Sequence, residues 1–245
     1  MKEERSSIIG GKRYDYVLDR KNVKNITLRV KESGIIQISA PTRITIARIE
    51  EILATHTAFI DKARRKLEAR RVANPPLRLV TGESLPIWGF PHTICVQSSA
   101  VRSAKTENGV LYLAIKNPDS PKERRQCFAE FVKKEADARL TARTRELTPL
   151  FAPKPPKVPS LTFRTMKTKW GVCRPKNGHV TLNRNLVFLP PALVDYVICH
   201  ELAHFHHADH SAAFWNCLKT VMPDCKERRK AMNAFPLPQF DSAEG

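Results

Sequence analysis

The residues in this sequence best suited to chemistry are His200, Glu201 and His204, within His200-Glu201-Leu202-Ala203-His204, followed by His210. On an α-helix, side chains four positions apart differ by about 40° in direction and about 6 Å along the axis, so the two imidazoles project from one face and can share an ion. Two imidazoles at this spacing are half of a zinc site, and zinc lowers the pKa of a bound water to about 7. Glu201 falls on the flank of the same face, where a carboxylate can take a proton from that water without being a ligand. The pattern points to hydrolysis assisted by one Zn2+ per chain, with His200 and His204 as ligands and Glu201 as general base.

An H-E-x-x-H pattern arises by accident in roughly one or two chains per hundred of this size and histidine content, so its surroundings decide its weight. Val194, Val197, Ile198, Leu202 and Phe205 form an apolar helical stripe around it. Pro190-Pro191 marks the helix start, and Asp195 lies in an early turn where a carboxylate favours the positive end of the dipole. A third ligand ten positions beyond His200 would lie about 15 Å away on a straight helix, so the helix must end between them. Asp209 tolerates the left-handed conformation of such a break, and Ser211 is a good N-cap for the next helix. His210 is therefore the preferred third ligand, with His206 and Glu227 as alternatives; His206 and His207 otherwise read as a solvated loop. Cys199 points about 100° away from His200 and is discounted as a competitor.

The run Arg164-x-Met166-Lys167-x-Lys169-Trp170-Gly171-x-Cys173 is followed by Gly178-x-Val180-x-Leu182-Asn183, Asp195 to His204, His210-Ser211-x-x-Phe214-Trp215 and Met222-Pro223-Asp224. Together these segments resemble the YgjP-like metallopeptidases, predicted zinc-dependent hydrolases, from about residue 10 to residue 235. The resemblance implies zinc ligands His200, His204 and His210, Glu201 as base, and a minimal zincin-like core of long helix, β-hairpin, HExxH helix and closing helix. That family is similar to the SprT-like and WLM zinc proteases, some of which cleave proteins crosslinked to DNA. Val172 stands where a small Ser is expected between Gly171 and Cys173, which leaves the metal ligands untouched.

The elements around these residues predict an α+β fold. Tyr14 to Leu18, Ile26 to Val30 and Ile35 to Ser39 read as strands with a turn at Glu32-Ser33-Gly34, and a helix follows from about Ile44 to Ala69. Ala73-Asn74-Pro75-Pro76 is a linker, beyond which Leu77 to Val80, Ser84 to Trp88, His92 to Gln97 and Val110 to Ile115 read as strands. Ser120-Pro121 caps a long helix to Leu147, with Glu123 at the capping-box position. Five prolines from Pro149 to Pro159 end it, and Leu161 to Cys173 and Gly178 to Phe188 form a hairpin before the motif helix. The expected organisation is an N-terminal β-rich region with one helix over 8–118, a core over 119–235 that the resemblance implies to be zincin-like and catalytic, and a disordered tail over 236–245. No internal repeat is visible.

At 245 residues and 42% hydrophobic, the chain can bury a substantial core. It shows no signal peptide and no apolar stretch long enough to span a bilayer, and its six scattered cysteines fit reduced thiols, so a cytoplasmic protein is expected. The net charge of +18 favours polyanions, with basic clusters at Lys62 to Lys66 with Arg70-Arg71, at Arg124-Arg125 with Lys133-Lys134, and at Arg228-Arg229-Lys230. Three readings therefore stand: a zinc metallopeptidase acting on a peptide or protein substrate, a basic nucleic-acid-associated protein whose zinc is mainly structural, and a protease recruited to its substrates by DNA. Tyr196, Lys167 and Arg164 are candidates for steadying an oxyanion or the substrate. Trp170 and Trp215 read as packing around the metal helix, and Asn183 as either a ligand-orienting group or a strand end.

Overall fold

The computed structural model describes residues 2–31, 33–73, 75–155 and 157–240, and the chain divides into two compact units, Met1–Pro75 and Pro76–Gly245. Glu32 of the first expected turn, Asn74 of the linker and tail residues 241–245 lie outside the described residues.

The first unit holds β1 (Lys2–Ile9), β2 (Lys12–Lys21), β3 (Thr27–Val30), β4 (Ile36–Pro41), α1 (Ile46–Thr55) and α2 (Thr57–Ala73). Its sheet runs β1-β2-β4-β3, with β2 parallel to β4 and the outer pairs antiparallel. Tyr14, Tyr16 and Leu18 alternate inward from β2, Ile36, Ile38 and Ala40 from β4, and both rows pack on Ile49, Leu53 and Ile60. The polar β1 was not legible as a strand, because an edge strand needs only a partner's backbone groups and little apolar alternation. The single helix expected near 44–69 is two, broken at His56, whose N–H bonds back to the Leu53 carbonyl at 3.1 Å.

The second unit begins with the same arrangement: β5 (Ser84–Ile87), β6 (Phe90–Ser98), β7 (Ser103–Glu107) and β8 (Val110–Ile115) in the order β5-β6-β8-β7, then α3 (Pro121–Leu147). β6 is parallel to β8 and the outer pairs are antiparallel, as in the first unit. In both, the positive-φ glycine of the last hairpin precedes the helix N-cap by the same interval, Gly34 to Thr45 and Gly109 to Ser120. The ββββα plan is thus repeated. Alternation, a turn glycine and a hydroxyl cap suffice to specify it, so the repeat leaves almost no residue identity to detect. Leu77 to Val80 is not a strand: the N–H groups of Arg78 and Val80 bond to the Glu83 carboxylate at 3.0 and 3.1 Å.

Residues 84–115, grouped with the N-terminal region on sequence, place Leu85, Ile87, Ile94, Leu111, Leu113 and Ile115 in the core that α3 shares with the motif helix. Ser120 caps α3 by accepting from Glu123 N–H, while the Glu123 carboxylate takes the Asn117 N–H at 3.0 Å. Arg124, counted above in a basic cluster, is 7% exposed and reaches the Arg78 carbonyl. After a 3-10 turn come β9 (Ser160–Arg164), β10 (Gly171–Arg174), β11 (His179–Asn183), α4 (Pro191–Ala203), α5 (Ala212–Val221) and α6 (Cys225–Ala234). The expected strand from Leu161 to Cys173 is interrupted after Arg164, and β9 pairs in parallel with β11 while β10 forms the antiparallel hairpin edge.

The fold is α+β, and the expected order of long helix, small sheet, motif helix and closing helix is present, with two closing helices. Bidentate ion pairs fix the frame: Arg143 of α3 holds Asp195 of α4 at 2.7 and 2.8 Å, and Asp137 of α3 holds Arg184 after β11 at 2.7 and 2.8 Å. Residues 236–240, part of the tail expected to be disordered, lay Leu237 and Phe240 against the core, and Leu77 bridges Phe240. Among the described residues, no helix is long and apolar enough to cross a membrane.

Candidate metal centre and hydrolytic cleft

Pro191 starts α4 as its first helical residue, and the helix stops at His204. There the N–H groups of Phe205 and His206 bond three residues back, to Leu202 and Ala203, which tightens the last turn. The chain then reverses. The Asp209 carboxylate accepts from Ser211 N–H at 3.3 Å, and the Ser211 hydroxyl caps α5, as its position in the sequence predicts. This break returns His210 to the motif helix, placing its Nε2 3.0 Å from Nε2 of His200. Ring nitrogens of His200, His204 and His210 all lie within 4.8 Å of one another.

The other candidates for a third ligand point elsewhere: Nε2 of His206 faces the Phe151 carbonyl at 2.7 Å, and the exposed Glu227 on α6 lies outside the group. Nδ1 of His204 sits 3.0 Å from the His207 carbonyl, which can only accept, so Nδ1 carries the hydrogen and Nε2 keeps its lone pair. Burial first, then the neighbouring imidazoles, pushes His200 down to about 3, and burial also lowers His204. Both rings are therefore neutral near pH 7, as metal ligation requires. A tetrahedral ion with bonds of about 2.1 Å spaces its ligand atoms about 3.4 Å apart, so the three converging imidazoles of His200, His204 and His210 fit zinc.

Phe214, fully buried, forms the floor of this group. Its ring centre is 5.0, 4.7 and 5.0 Å from those of His200, His204 and His210. The sequence reading gave Phe214 no role, although its place three residues after the Ser211 cap puts it in the first turn of α5, beside His210. Trp215 stands next to it and stacks on His210 at 6.2 Å.

Glu201 is 6% exposed and packs against Gly171, where an added Cβ would stand 2.5 Å from its Oε1. Burial raises its pKa to about 7, opposed by the backbone N–H of Cys173 and by the charge of Lys169. A carboxyl group poised there can both take and give a proton near neutrality. The thiols are different: burial pushes Cys173 and Cys199 up to about 12, which keeps them protonated.

A cleft of about 420 Å³ opens over His200, Glu201 and His210, with Trp170, Tyr196 and Arg229 among its walls. Tyr196 is buried, its ring centre 5.9 Å from that of His200, and burial raises its phenol to about 12. Arg164 and Lys167 do not line the cleft; Thr168 and Lys169 do. Asn183 decides this: its side-chain amide donates to the carbonyls of Met166 and Lys169 at 2.8 Å each, which fixes the loop between β9 and β10.

Two solved structures are similar to parts of this chain. The metallopeptidase zymogen abylysin of Pyrococcus abyssi is 21% identical, over 42% of this chain and 99% of that one, with a TM-score of 0.36. The metallopeptidase zymogen jannalysin of Methanocaldococcus jannaschii is 24% identical, over 38% of this chain and 93% of that one, with a TM-score of 0.33. No curated protein matches the chain. The family model of the YgjP-like metallopeptidase domain matches residues 24–235, nearly the whole chain including every residue of the cleft, so the protein belongs to the YgjP-like metallopeptidase family.

Proposed function

We propose that the protein is a zinc-dependent metallopeptidase in which His200, His204 and His210 hold one Zn2+ and Glu201 is the general base. The observation that carries this reading is the convergence of three imidazoles within 4.8 Å beside a buried carboxylate. Zinc bound there supplies a Lewis acid for the substrate carbonyl and a water of lowered pKa. Glu201 takes the proton of the attacking water and returns it to the leaving amine, a task suited to a carboxyl group near 7. Gly171 and the Cys173 N–H hold that carboxylate in place. Tyr196, still protonated at neutral pH, donates a hydrogen bond to the developing oxyanion. β10 is an edge strand of its sheet, and an extended peptide is held along it by main-chain hydrogen bonds. Lys167 and Arg164 have no part in this, since neither lines the cleft. The basic residues belong to both units rather than collecting at the cleft, so the nucleic-acid reading gains no support of its own.

The test is zinc content per chain, measured on the parent, His210→Ala and Glu201→Gln. About one zinc in the parent, sharply less in His210→Ala, and parental zinc in Glu201→Gln with hydrolysis reduced about 10²- to 10⁴-fold is the expected result. A folded parent that cannot be loaded with zinc overturns the proposal, and unchanged zinc in His210→Ala removes His210 from the ligand set.

A further inference from the structure

The cleft carries two cations that the hydrolytic chemistry leaves unused. Arg229 on α6 and Lys169 in the loop before β10 both line it, and among the described residues neither side chain has an ion pair or a hydrogen bond. Arg229 differs in this from its neighbour Arg228, which is occupied by the Asp224 carboxylate at 2.8 Å and the Ala192 carbonyl at 2.9 Å. The Arg229 guanidinium is placed instead by a ring. It lies 5.1 Å from the centre of Trp215, whose indole stacks on His210.

One aromatic therefore fixes the position of a metal-binding imidazole and of a guanidinium together. Arg229 and Lys169 share the cleft with Tyr196, His200 and Glu201, so the pair lies among the residues that would do the chemistry. Among the described residues the only carboxylate lining the cleft is Glu201, which is 6% exposed and pressed against Gly171, so it neutralises neither cation directly. A guanidinium that is positioned, unpaired and partly shielded by an aromatic face is a receptor for a carboxylate, which it can take by two parallel hydrogen bonds.

We propose that Arg229, assisted by Lys169, selects peptides that carry a carboxylate next to the bond to be cut. The proposal rests on the peptidase reading of the same cleft and names its substrate class. The carboxylate has two sources, an Asp or Glu side chain or the free C-terminus of the peptide, and the experiment separates them.

The measurement is fluorescence anisotropy of labelled octapeptides binding to zinc-loaded Glu201→Gln protein, in which slowed hydrolysis leaves the peptide intact during the measurement. One pair of Ala-Gly peptides, amidated at the C-terminus, differs only in Glu or Gln at the fourth position; a second, neutral pair differs only in a free or amidated C-terminus. A preference of about tenfold for the carboxylate member of either pair is expected, and the pair showing it names the source. Adding Arg229→Gln should bring the ratio to about one, and adding Arg229→Glu should invert it in favour of a Lys peptide, an outcome that unfolding cannot produce. No preference in either pair, or a preference untouched by both Arg229 substitutions, overturns the proposal. Because the readout is binding, a parent protein that cleaves no peptide while the preference holds counts against the peptidase reading and not against the anion site.

Discussion

The carboxylate of Glu201 occupies the space in which a side chain on residue 171 would begin: a Cβ built on Gly171 would stand 2.5 Å from Oε1, 2.6 Å from Cγ and 2.7 Å from Cδ of Glu201. The requirement for glycine is one of room. A strand residue on β10 and the carboxylate of the motif helix are thereby locked into one arrangement.

Gly171→Ala should accordingly displace the Glu201 carboxylate while leaving the three histidines free to bind metal. The expected outcome is parental zinc content with kcat/KM reduced about 10²-fold, the lower range for losing a general base. Activity within twofold of the parent would show that the carboxylate has a second productive position.

Phe214→Ala removes the surface on which His200, His204 and His210 all rest. A fully buried phenylalanine reduced to alanine costs about 3–5 kcal/mol, and the imidazoles above it gain freedom that metal binding must then remove. Both a lower urea midpoint and weaker zinc affinity are expected; unchanged affinity in a destabilised protein would confine Phe214 to packing.

Asn183 is 2% exposed and satisfied on both sides, donating to the carbonyls of Met166 and Lys169 and accepting from the N–H groups of Met166 and Asn185 at 3.2 and 3.1 Å. Asn183→Ala strands these groups and should cost about 2–3 kcal/mol. Asn183→Asp should cost at least as much, because a carboxylate cannot donate to the two carbonyls. Denaturant titration of the two variants checks the order, and a stable Asp variant would contradict it.

Zinc should stabilise the second unit by binding its folded form alone. At a free concentration about a hundredfold above the dissociation constant, the gain is about 2.7 kcal/mol, or roughly 5–10 °C in Tm for a unit of this size. Calorimetry with zinc and with chelator should show this shift in the parent and not in His204→Ala. The same shift in both would place the stabilising ion elsewhere.

The sequence by itself determined what depends on near neighbours. The shared face of His200 and His204 follows from the 3.6-residue period, the start of α4 from Pro191, and the start of α5, which turns His210 back toward the motif helix, from the Ser211 cap. The α+β class follows from the same local signals, while the order of the core elements, with which those signals are consistent, is what the family resemblance implies. Tertiary structure decided what depends on register between distant segments. The β1 edge strand exists through its pairing with β2, and the repeated ββββα plan rests on strand order rather than residue identity. Gly171 meets Glu201, thirty positions away, only because β10 packs on α4. Lys169, and not Lys167, reaches the cleft because Asn183 at the end of β11 grips the loop between them; two lysines two positions apart carry no local difference, and only a partner elsewhere in the chain sets which of them faces the site.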